Sequence, residues 1–114
     1  MHLVAEGHIS ETPAGNSLSQ QLRQKQFATL IEDSKKFNES ILVGDFNAQG
    51  GSEYDVFKNA GFSMVNNGSI GTLRETLCAD NIIVSNGISI SDYEVIDDYK
   101  LNTDHLGLFA NLSL

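Results

Sequence analysis

The apolar run Ile41-Leu42-Val43 lies between a polar stretch and Gly44-Asp45-Phe46-Asn47, so residues 40–46 read as a buried strand ending at a polar turn. Upstream, Leu22, Phe27, Leu30, Ile31 and Phe37 fall on one broad helical face, which predicts a helix starting at Ser17 or Ser19, either able to cap it, and running to about Phe37. Downstream, Ser52 followed by Asp55 predicts the cap of a short helix to Ala60, with Gly61 at C′. Between strand and helix, Gly50-Gly51 gives the chain freedom to reverse. Further strands are predicted over 62–65, 81–85 and 107–114. In the last of these Leu108, Ala110, Leu112 and Leu114 alternate with Phe109, Asn111 and Ser113.

These elements fit one α/β unit spanning 1–114. The 114 residues, 40% hydrophobic and 19% charged, suffice for a single core, and one proline with no low-complexity tract argues against disorder. Apolar runs such as Ile82-Ile83-Val84 are too short to cross a bilayer. A lone cysteine, Cys78, forms no internal disulfide and reads as a small core hydrophobe. That usage slightly favours the cytoplasm, without excluding export. Asn-x-Ser/Thr triplets at Asn38, Asn67 and Asn111 matter only after export.

Charge narrows the choice of partner. Seven basic against fifteen acidic residues give a net charge of −8, which repels a polyanion unless bound cations offset it. Lys35-Lys36, the only basic pair, reads as a solvated helix face. A small phosphoester or a lipid headgroup therefore suits the surface better than nucleic acid.

Candidate chemistry falls in two places. Asp45 and Asn47, two apart at a strand end, offer a carboxylate and an amide oxygen on one side, as a hard cation or its water requires. Thr103-Asp104-His105 adds a second carboxylate and an imidazole. The competing roles are local: Asp45 capping a following backbone N–H, and Asn47 serving as a left-handed turn residue. For Arg23 the expected role is an ion pair with a core-facing carboxylate.

In these stretches the chain resembles the endonuclease/exonuclease/phosphatase superfamily of Mg²⁺-dependent phosphoesterases. The likeness rests on His2-Leu3, Gly44-Asp45-Phe46-Asn47, Asp80-Asn81-Ile82-Ile83-Val84-Ser85 and Thr103-Asp104-His105, with Arg23 and Gln26 as weaker support. Thr103 stands where relatives usually carry Ser. The resemblance covers the C-terminal half of a DNase I-like domain and implies half of a four-layer α/β sandwich, one mixed or antiparallel sheet packed with helices. It implies catalytic roles for Asp45, Asn47, Asp80, His105 and His2, and Mg²⁺, with Mn²⁺ as an alternative, near Asp104, Asp45 and Asn47. Asp80 would orient His105, since a carboxylate on an imidazole fixes its tautomer and raises its basicity. The Gln-Glu pair that supplies the family's metal-binding Glu does not occur here. Met1 accordingly reads as the start of a fragment. An uncovered inner face is expected to be closed by the missing half or by a second copy in a homodimer.

Overall fold

The computed structural model describes residues 13–73, 77–96 and 104–114. Helix α1, Pro13–Ser34, begins on a proline, whose fixed φ and missing N–H suit the first helical position. The helix therefore starts ahead of Ser17 and Ser19, and Ser19 is buried within it instead of capping it. It also stops three residues before Phe37. Three successive tight turns, Lys35 N–H to Glu32 C=O, Lys36 to Asp33 and Phe37 to Ser34, close its end and leave Phe37 exposed. Lys35 and Lys36 pair with Glu32 and Asp33 on the solvated side, as expected.

The buried stripe of α1 carries Phe27 and Ile31 onto a core that also contains Phe46, Ala48, Tyr54, Phe57, Cys78 and Ile83. The Phe27 ring lies 5.0 Å from Phe57 and 6.0 Å from Phe46. Arg23 is fully buried one turn earlier. Its Nε donates to Glu53 Oε1 at 2.9 Å and its Nη2 to Oε2 at 3.2 Å. This is the expected ion pair, and its acid sits a few residues after the Gly44-Asp45-Phe46-Asn47 stretch.

Strand β1, Ile41–Asp45, pairs antiparallel with β3, Asp80–Val84, and the two-residue β2, Ser63–Met64, pairs with the other edge of β3. Leu42 and Ile83 face the helices, whereas Ile41, Val43 and Asp45 point to the opposite side. Beyond that side lies a second antiparallel pair, β4, Ser89–Ile96, with β5, Gly107–Ser113. Leu106 and Leu108 line a cleft with Val43 and Ile82, and Leu112 and Leu114 line another with Ile41.

The architecture is thus α+β, and two points differ from expectation. The described strands form two antiparallel sheets, three-stranded and two-stranded, and not one sheet. After β3 the tight turn from Ser85 to Ile88, with Gly87 at φ 103°, diverts the chain away from the first sheet. Strand β4 carries no clear signal in the sequence, because a register shift between Ile90 and Asp92 breaks its alternation and most of its side chains are exposed.

The short helix falls close to expectation, as a 3₁₀ turn Gly51–Tyr54 running into α2, Asp55–Asn59. Gly61, at φ 92°, ends it: Gly61 N–H donates to Lys58 C=O, Phe62 N–H donates to Phe57 C=O, and the Phe57 and Phe62 rings meet. Gly51 serves close approach instead of chain reversal, since a Cβ there would come within 2.6 Å of the Asn67 carbonyl oxygen. Buried Asn66 and Asn81 lock this region to β3. Asn66 N–H donates to Asn81 Oδ1 at 2.8 Å, and Asn81 Nδ2 donates to the Asn66 carbonyl at 2.6 Å.

Arg23→Met leaves the Glu53 carboxylate buried without its charge partner. Urea denaturation is expected to show a loss of about 3–5 kcal/mol; an unchanged midpoint would show that the pair does not hold α1 to the segment after β1.

Candidate metal centre

The register of β1 and β3 sets Asp45 directly opposite Asp80. Phe46 N–H bonds to the Ala79 carbonyl beside them, so 45–80 is a non-hydrogen-bonded pair, the kind whose side chains approach most closely. Both carboxylates leave the face turned away from the helices. His105, just ahead of β5, comes in over them.

The His105 Nδ1 lies 2.6 Å from Asp80 Oδ2, a short charge-assisted hydrogen bond. Its Nε2 is 3.8 Å from Asp45 Oδ2 and 3.9 Å from Asp104 Oδ1. One ligand atom each from Asp45, Asp80 and His105 lie within 4.8 Å of one another. Asp104 is more exposed than these three and stands at the rim. Burial works against the His105 imidazolium, but the hydrogen bond and charge of Asp80, then the charges of Asp45 and Asp104, outweigh it. The His105 pKa is raised above its ordinary 6.5.

Asp45 divides its oxygens between two tasks. Oδ1 accepts the Asn47 N–H at 2.8 Å, and Oδ2 faces His105. Asn47 is buried with φ 55°, so the left-handed turn and the carboxylate cap both form. The expectation that Asp45 and Asn47 share one side of an extended strand end does not hold, because β1 stops at Asp45. Gln49 spans this turn, donating from Nε2 to the Asn47 carbonyl, while its own N–H bonds to Glu53 Oε2 at 2.7 Å. The buried Arg23–Glu53 pair thereby reaches the turn that carries Asp45.

Two further side chains support the site and carry no signal in the sequence. Thr72, fully buried, accepts the Asp80 N–H on Oγ1 at 2.9 Å and the Leu106 N–H on its carbonyl at 2.7 Å. The Tyr54 hydroxyl donates to the Cys78 carbonyl at 2.6 Å, and burial pushes its pKa up, so it remains a donor. Cys78 is a core thiol whose pKa burial also raises. Gln26 is exposed on α1. His2 lies outside the described residues.

Asp45, Asp80 and His105 each offer a ligand atom close to the other two, so the three could hold a metal ion, and carboxylate oxygens beside an imidazole nitrogen are donors that divalent cations accept. The Nδ1 of His105 is committed to Asp80, so the ring would turn its Nε2, toward Asp45 and Asp104, to a cation. No family model, curated protein or solved structure matches the chain.

In metal-free protein, the ring-proton NMR titration of His105 is expected to have its midpoint above 6.5, falling toward 6.5 in Asp80→Asn. A folded pKa raised above the unfolded one contributes stability that is complete below pH 6.5 and is lost as pH rises through the folded midpoint. A wild-type midpoint at or below 6.5 contradicts the arrangement.

Proposed function

We propose that the chain is the C-terminal half of a Mg²⁺-dependent phosphoesterase of the endonuclease/exonuclease/phosphatase superfamily, and that its sheets are part of that family's four-layer sandwich. The observation that carries this reading is the meeting of Asp45, Asp80 and His105, drawn from three distant parts of the sequence onto one open face. A bound Mg²⁺ supplies charge neutralisation for the phosphoryl group. Asp45 orients the attacking water and accepts its proton through Oδ2. His105, held through Nδ1 by Asp80, turns Nε2 toward the phosphate oxygens and donates to them as charge develops. Asp104 adds a ligand oxygen at the rim, Asn47 shapes the turn under Asp45, and His2 assists the leaving group. The net charge of −8 favours a small phosphoester or lipid headgroup as substrate.

A second reading is a half-domain that self-associates and binds metal or phosphate without turnover. Its support is the apolar character of the face that carries Asp45, where Ile41 and Val43 are each 51% exposed and border clefts lined by Leu108, Leu112 and Leu114.

Hydrolysis of bis-p-nitrophenyl phosphate with Mg²⁺ is expected to be abolished by EDTA and lowered about 100-fold or more in Asp45→Asn. Folded protein that binds Mn²⁺ without turnover would favour the second reading, and light scattering then separates a homodimer from a monomer.

A further inference from the structure

Asp80 and His105 belong to different sheets, Asp80 opening β3 and His105 preceding β5. Among the described residues, no strand pairing between those sheets sets the 2.6 Å contact between their side chains. Among the described residues after Val65, Thr72 bonds to both arms. Its hydroxyl oxygen takes the amide of Asp80 itself, and its carbonyl takes the amide of Leu106, the residue after His105. Leu73 adds an antiparallel bridge to His105, and Thr72 N–H is anchored on the Leu77 carbonyl. Thr72 itself is wholly buried, so leaving its hydroxyl or carbonyl without a partner is costly.

We propose that Thr72 is a positioning residue, clamping Asp80 and His105 so that the imidazole is held in one tautomer with Nε2 turned toward Asp45. The methyl and backbone of Thr72 fill space and pair the segments. The hydroxyl oxygen does something separable, fixing where the Asp80 carboxylate begins. Its removal lets the carboxylate drift from Nδ1 by a few tenths of an ångström, enough to weaken a short charge-assisted bond. The effect on turnover rests on the phosphoesterase reading; the effect on the imidazole does not.

Three chains decide it: wild type, Thr72→Val, which keeps the shape and loses the acceptor, and Thr72→Ser, which restores the acceptor. The Nδ1 proton of His105 is expected far downfield in wild type and in Thr72→Ser. In Thr72→Val it should move upfield or be lost to exchange, while the remaining amide spectrum stays dispersed. Against bis-p-nitrophenyl phosphate, kcat should fall about 10- to 100-fold in Thr72→Val with KM little changed, and recover in Thr72→Ser. An unshifted Nδ1 proton in folded Thr72→Val overturns the proposal. If Thr72→Val does not fold, Thr72→Ser decides, because loss of the resonance there overturns it and retention supports it. Absence of turnover in wild type with the expected Nδ1 pattern overturns the phosphoesterase reading and leaves the positioning role supported.

Discussion

Two carboxylates facing each other across neighbouring strands repel, and the Asp45–Asp80 pair is the constraint on which this site turns. Burial of the backbone beneath them, through Phe46 and Ala79, prevents the strands from parting to relieve the repulsion. His105 lies against the carboxylates, tight to Asp80 and looser to Asp45 and Asp104, and these neighbouring charges favour its protonated form. The asymmetry matters: one carboxylate is consumed in holding the ring, and the other two face the open side of Nε2.

The scaffold beneath supplies that precision from two directions. On the helical side, Arg23 neutralises Glu53, which in turn holds the Gln49 amide and so the turn that caps Asp45. A buried pair of this kind adds little net stability compared with apolar residues, but its loss leaves an uncompensated charge, so it acts chiefly to fix geometry. On the other side, Tyr54, Asn66, Asn81 and Thr72 satisfy the polar backbone around the start of β3. Every one of these four side chains is buried. The result is a rigid floor carrying a half-buried charged cluster, the arrangement a preorganised electrostatic site requires.

Much of this was legible in the residues because it is local. Apolar runs mark β1 and β3, Gly61 marks a helix end, and the residues that make up the site, Asp45, Asp80 and His105, are each singled out in the sequence, although only the fold brings Asp45 to the other two. What escaped is set by long-range bonding. Glu53 reads as one exposed acid among fifteen, and only the helix laid across it makes it the partner of Arg23. Thr72 sits in a polar stretch without periodicity, and its role arises from Asp80 and Leu106, which the fold and not the local sequence brings to it. Strand β4 hid behind a bulge, and Asn47 left the extended path that its spacing from Asp45 implied.

The central claim is that this cluster, and not the acidic surface at large, is built to receive a divalent cation. Substoichiometric Mn²⁺ added to isotope-labelled protein tests it directly through paramagnetic broadening. The account predicts that broadening begins at Asp45, Asp80 and His105 with neighbouring Asp104, spreads to Asn47 and Leu106, and is reversed by excess Mg²⁺. Broadening that starts instead at exposed acids such as Glu32, Asp33 and Asp92, or that shows no preferred centre, would contradict it.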